Sequence, residues 1–202
     1  MWSGGQRDRV CEDLPTRRGD LALLSMLCGL TFLLVIALDV SPTRLALARH
    51  NAQIYGVADH IEFVLSDYLS FVKSYGVNPH SGQSSKIDVV FLSPPWGGPA
   101  YLESSSKHQD ESISDEYPLY SLSSIRPIDG SELFRISRTI TKNIAYYLPR
   151  NTRVKEIGEL LSNTGADVQD ERVEVEEEWM GNKLKALTCY FGGLVQGQED
   201  IF

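Results

Sequence analysis

Apolar and polar positions divide most of the chain into short strands alternating with helices. Residues 87–92, I-D-V-V-F-L, are mostly apolar and β-branched, the pattern of a strand buried on both faces of a parallel sheet. Ser93-Pro94-Pro95-Trp96 comes at once after them, and two prolines cannot continue a hydrogen-bonded ladder, so the strand ends there. Residues 61–65 predict a second strand, with Ser66, Asp67 and Tyr68 at its carboxyl end. A third runs over residues 32–40 and brings the acidic Asp39, followed by Val40, to its end. Ser41 is placed to cap the next helix and Pro42 fits its first position. Leu45, Ala48, Ala52 and Tyr55 then form one apolar stripe, and Gly56 closes the helix as a left-handed cap.

Further along, residues 73–86 are polar, with Gly76, Pro79 and Gly82, and predict a surface loop. Residues 102–130 are serine-rich and read as a long excursion beside the Ser93–Trp96 loop, able to act as a lid. Leu133, Ile136, Ile140 and Ile144 have helical spacing, which puts Arg135, Arg138 and Lys142 on other faces. Residues 144–148 predict a buried strand ending at Pro149-Arg150-Asn151, and residues 153–163 a helix. Residues 167–179 and 184–191 predict two strands joined through Met180-Gly181-Asn182-Lys183, an antiparallel hairpin at a sheet edge. The pattern predicts an irregular segment at 1–20, an α/β domain over 21–192 and a tail at 193–202. Residues 21–38 admit two readings. Eighteen residues without a charge, preceded by Arg17 and Arg18, qualify as a minimal transmembrane or signal-anchor segment. The preferred reading splits them into a buried helix over 21–30 and the strand over 32–40, because the chain beyond Leu38 is organised as a soluble nucleotide-binding unit.

Composition narrows the function classes. With 202 residues, 42% of them hydrophobic, the chain is long enough for one domain with a sizeable core. Cys11, Cys28 and Cys189 are odd in number and far apart, which points to a reducing compartment; His50, His60, His80 and His108 are isolated, so no metal site is expected. A net charge of −8 argues against wrapping generic nucleic acid such as duplex DNA. Residues 135–155 nevertheless carry six basic residues and no acidic one, while Glu174, Glu176, Glu177 and Glu178 cluster elsewhere. That basic stretch is either a face for a compact phosphorylated ligand or an ordinary solvated helix surface.

A small polar residue followed by Pro-Pro and an aromatic resembles motif IV of methyltransferases that modify exocyclic amines. The longer S-P-P-W-G-G-P, behind a D-V-V-F-L strand, resembles the trimethylguanosine synthases, RNA cap guanine-N2 methyltransferases of small nuclear and nucleolar RNAs. Residues 37–71 resemble motifs II and III of the same family, and residues 132–151 and 182–192 also match, so the likeness covers 35–192. The resemblance implies a class I S-adenosylmethionine-dependent methyltransferase, a Rossmann-like α/β sheet closed by an antiparallel hairpin. It implies that Asp39 binds the ribose of S-adenosylmethionine and that Asp67 accepts from its adenine amino group, with Val40 and Tyr68 beside them also in the cofactor site. It implies that Ser93 and Pro94 hold the reacting amine while Pro95 and Trp96 receive the 7-methylguanosine cap. Arg138, Lys142, Arg150 and Lys183 are the candidates for the cap triphosphate. The compartment implied is the nucleus, nucleolus included, with the cytoplasm a second possibility. Methyltransferases acting on adenine or glutamine usually have Asp or Asn where Ser93 stands, and Trp96-Gly97-Gly98 also disfavours them.

The chain departs from the family upstream. A strand and the glycine-rich turn D-x-F-C-G-x-G-G-N open the family's domain, and nothing in residues 1–38 matches them. The expectation is therefore a domain without its first strand and glycine loop, with residues 21–30 or a partner filling the gap. A non-catalytic cap- or RNA-binding protein is the alternative that this departure raises.

Overall fold

The computed structural model describes residues 8–13, 34–77, 87–96, 119–162 and 171–195, with backbone alone for 8–13 and 76–77. They form seven strands and four α-helices: β1 Asp8–Asp13, β2 Leu34–Asp39, α1 Pro42–Ile54, β3 Ile61–Leu65, α2 Tyr68–Val77, β4 Ile87–Ser93, α3 Gly130–Ser137, β5 Ile144–Pro149, α4 Val154–Ser162, β6 Val173–Met180 and β7 Lys183–Phe191. The chain divides into two compact units, Met1–Ser93 with Ser137–Ile144, and Pro94–Ile136 with Ala145–Phe202.

In the first unit the hydrogen-bonded order is β3-β2-β1-β4, all parallel. β1 is the main correction to the sequence reading. The segment expected to be irregular and to lack the first strand forms one, at the place between β2 and β4. D-R-V-C-E-D alternates weakly and is charged at both ends, so no periodicity announces it. It pairs with a parallel neighbour on each side, and tertiary context decides where propensity is silent. The glycine-rich turn and the helix expected over 21–30 lie outside the described residues.

In β2, residues 34–38 of the apolar run at 21–38 are strand, with 35–38 paired on both sides, as the split reading expects; residues 21–33 lie outside the described ones. No helix among the described residues is long and apolar enough to cross a membrane. α1 begins as expected: Ser41 is its N-cap, its hydroxyl accepting from the Arg44 amide, with Pro42 in the first turn. Leu45, Ala48 and Ala52 are buried, but Tyr55 stands exposed at the helix end, where Gly56 turns the chain with φ +70°. α2 replaces the first part of the loop expected from residue 73. Asp67 caps it through Oδ1, which accepts from the Ser70 amide at 2.9 Å, and Tyr68 and Val72 bury one face. Tyr75 then accepts from the Ile87 amide, fixing where β4 starts. β4 is buried along nearly its whole length, as its composition predicts.

In the second unit β7 lies between β5 and β6, and β6 and β7 form the expected antiparallel hairpin around Gly181, φ +58°. Phe134 of α3 stacks on Tyr146 and packs at 4.5 Å against Phe191 of β7. α3 stops at Ser137, short of the helix suggested by Ile140 and Ile144; Ile144 opens β5 instead. Ile157, Leu160 and Leu161 of α4 complete the core.

Candidate functional site

The carboxyl ends of the parallel strands define one edge of the first unit. Register sets Leu65 opposite Asp39 and Ser93 opposite Asp13, with Leu38 and Leu92 both level with Glu12 one row below. Asp39 and Ser93 therefore end strands two positions apart, roughly 10 Å at the usual strand spacing. Ligands of open α/β sheets bind beyond this edge.

Asp39 is buried, and three N–H groups occupy its carboxylate. Oδ1 accepts from the Ser41 amide at 2.6 Å and from Arg44 Nη2 at 2.7 Å; Oδ2 accepts from Arg44 Nε at 2.7 Å. The side chain of Asp39 is 2% exposed, that of Arg44 33%. Val40, next along, is 58% exposed, an apolar side chain standing in solvent at the edge. Asp67 is exposed, and hydrogen bonds from Ser70 hold its carboxyl below the ordinary value. Tyr68 is buried and its hydroxyl shares a 2.6 Å hydrogen bond with Ser137, so it acts in packing at this position. Ser93 is buried as the last residue of β4.

In the second unit Pro94 is buried and Pro95 and Trp96 are half-buried. The Trp96 indole packs against Tyr147 of β5, ring centroids 5.0 Å apart and tilted by 36°. Beyond β5, Tyr120 pairs with the 151–153 turn through its amide and carbonyl, and the Leu122 amide donates to Glu156 at 2.7 Å. These bonds fasten the far end of the serine-rich excursion, whose residues 102–118 lie outside the described ones. Arg150 and Lys183 are exposed, with Arg150 Nη1 reaching the Leu184 carbonyl at 3.4 Å, so both lie at the carboxyl end of β5.

The other two basic candidates, Arg138 and Lys142, belong to the first unit and lie at its other edge. Thr141 and Asn143 side chains donate to the Asp88 carbonyl, and the Val90 amide donates to Asn143, which fixes the 138–143 turn at the amino end of β4. Arg138 donates to the Lys142 carbonyl in that turn. Five residues of strand rise separate Asp88 from Ser93, about 16 Å. Arg138 and Lys142 are thus on the opposite edge from Asp39 and Ser93. Nor do the six cations of residues 135–155 form one basic face: Arg135 pairs with Glu132, Arg153 with Glu156 and Lys155 with Glu159.

Sequence reading missed Arg44 and Tyr147. Tyr147 carries no local signal, since its partner comes from another strand's end. Arg44 carries one: a cation in the first turn of a helix opposes the macrodipole, which calls for a specific anionic partner.

Comparison with known proteins gives the family. The model describing RNA cap guanine-N2 methyltransferase matches residues 26–194. The trimethylguanosine synthase of Schizosaccharomyces pombe is 34% identical over 126 residues, 61% of this chain and 44% of that protein. The Saccharomyces cerevisiae trimethylguanosine synthase is 26% identical over 144 residues, 67% and 40%. The chain thus spans less than half the length of these curated relatives. Among solved structures, a METTL16 methyltransferase domain superposes with TM-score 0.54 at 13% identity, covering 93% of this chain and 61% of that one. The human methyltransferase 10 domain containing protein gives 0.53 at 14% identity, covering 93% and 72%. These two likenesses establish the class I methyltransferase fold, and the match across residues 26–194 establishes that the chain belongs to the RNA cap guanine-N2 methyltransferase family.

Proposed function

We propose that this protein transfers methyl groups from S-adenosylmethionine to the exocyclic N2 of a 7-methylguanosine cap, on small nuclear or nucleolar RNA in the nucleus. The observation that carries the reading is the S-P-P-W loop leaving the end of β4, with Asp39 and Asp67 at the ends of two neighbouring parallel strands.

The described residues fit an adenosine-type cofactor. Asp39 offers a buried carboxylate for a ribose hydroxyl, Val40 an exposed apolar surface for the flat face of a base, and Asp67 an exposed carboxylate oxygen for an exocyclic amine. When bound, S-adenosylmethionine supplies an electrophilic methyl on a sulfonium. The protein's part is alignment and electrostatics, the larger share of what such a transfer needs. Ser93 and the Pro94 carbonyl would hold the guanine amine facing the methyl on a proline-stiffened backbone, with S-adenosylhomocysteine leaving and N2 losing a proton to water after transfer. Trp96 receives the purine, with Tyr147 packed against it to fix the plane of the indole. A 7-methylated guanine is cationic, so stacking on Trp96 gains a cation–π contribution of about 1–2 kcal/mol that unmodified guanine lacks. Arg150 and Lys183 remain as the triphosphate candidates.

Methyl transfer from labelled S-adenosylmethionine to RNA carrying a 7-methylguanosine cap tests this, with unmethylated-cap and uncapped RNA as controls. Transfer confined to the 7-methylated cap is expected. Cap binding without transfer would make the protein a non-catalytic reader, and transfer to uncapped RNA would make it another class of methyltransferase.

A further inference from the structure

Arg44 and Asp39 pose a counting problem for any ligand with a vicinal diol. A carboxylate has about four lone-pair sites. Three are taken, by the Ser41 amide, Arg44 Nη2 and Arg44 Nε. A ribose that donates from both its hydroxyls brings the donors to five. One of the existing three must leave. The Ser41 amide belongs to the capped start of α1 and is fixed by the helix behind it. The guanidinium is the partner that can be exchanged, because its side chain is one-third exposed on a long flexible stem. It also stands in the first turn of a helix, where the macrodipole disfavours a cation.

We propose that Arg44 is a displaceable clamp on the nucleoside site, which holds the Asp39 carboxylate in the free protein and is replaced by the ribose diol on binding. The inference rests on the adenosine reading of this edge. Its consequence is a resident competitor: the intrinsic affinity of Asp39 for a diol is reduced by the fraction of molecules in which Arg44 is bound. Arg44 is then a specificity-determining residue. A ligand with a single hydroxyl uses the one remaining lone pair without displacing it, whereas a ligand with two must displace it.

The test is calorimetric binding of S-adenosylhomocysteine and of its 2′-deoxy and 3′-deoxy analogues to the wild type, Arg44→Gln and Arg44→Lys. Arg44→Gln is expected to bind S-adenosylhomocysteine several-fold to about tenfold more tightly, and both deoxy analogues within about twofold of wild type. Arg44→Lys keeps a cation near Asp39 but loses the two-pronged grip, and is expected to fall between the two. It also provides a folded comparison if Arg44→Gln melts early. Unchanged or weaker S-adenosylhomocysteine binding in both variants, with wild-type binding intact, overturns the clamp and leaves the cofactor site standing. No binding of S-adenosylhomocysteine by any of the three proteins overturns the site and the clamp together.

Discussion

Asp67 performs a structural task that masks the role proposed for it. Its Oδ1 caps α2, and Ser70 depresses its pKa. A carboxyl depressed on folding contributes stability above its unfolded value, and that contribution is lost as pH falls through the folded one. Asn caps a helix about as well as Asp. Asp67→Asn should therefore keep the neutral-pH melting temperature within about 2 °C while flattening its decline below about pH 4. The same change places an amide donor where the adenine amine needs an acceptor, so S-adenosylhomocysteine affinity should drop about tenfold. A matched loss of stability and affinity would mean that Asp67 serves the helix alone. Trp96→Ala is the complementary case: binding of a 7-methylguanosine triphosphate should weaken tenfold or more, while S-adenosylhomocysteine binding stays near that of wild type. Strand-terminal acids and the S-P-P-W loop were legible in the sequence because each ends a recognisable apolar run. Partnerships such as Arg44 with Asp39, or Tyr147 with Trp96, were not, because they depend on where a side chain reaches in three dimensions.

Element boundaries track the strength of each local signal. β3 and the start of α1 agree with expectation to the residue, since Ser41-Pro42 and a clean apolar block leave little choice. α2 was hidden because Ser, Lys and Gly dilute its stripe, although Asp67 three residues ahead of Ser70 is a cap signal. β1 was hidden because charged residues flank a core of only two non-polar positions, and its parallel neighbours define it. The two kinds of glycine in these elements separate conformation from space. Gly56 needs its positive φ but has open space for a methyl, so Gly56→Ala should cost about 1 kcal/mol. At Gly130 an added Cβ would meet Ile125 Cδ1 at 2.7 Å, Tyr146 Oη at 2.8 Å and the Leu122 carbonyl at 3.0 Å. It would also disturb the hydrogen bond from the Tyr146 hydroxyl to the Gly130 carbonyl. Gly130→Ala should thus cost more, about 2–3 kcal/mol, by overpacking the start of α3. Equilibrium urea denaturation of both variants checks the order; a larger loss at Gly56 would contradict it.

At the scale of the whole molecule the net charge is −8, and the basic stretch at 135–155 reads differently in the sequence and in the fold. Summed along the sequence, that stretch reads as a cationic surface. Folded, three of its cations meet carboxylates three or four residues away along the chain, and two lie at the amino end of β4. Of the four basic candidates, Arg150 and Lys183 are the two that lie near the carboxyl end of β5 among the described residues. Recognition should accordingly depend on the cap and little on the RNA behind it. For single strands each neutralised phosphate contributes about −0.7 to the slope of log K against log salt. Two contacts predict a slope of about −1.4, similar for a cap dinucleotide and a longer capped oligonucleotide. Fluorescence anisotropy between about 50 and 200 mM salt measures it. A slope steeper than about −3 that appears only with the longer RNA would mean that a phosphate-tracking surface exists beyond Arg150 and Lys183, and that the cap is not the main determinant of binding.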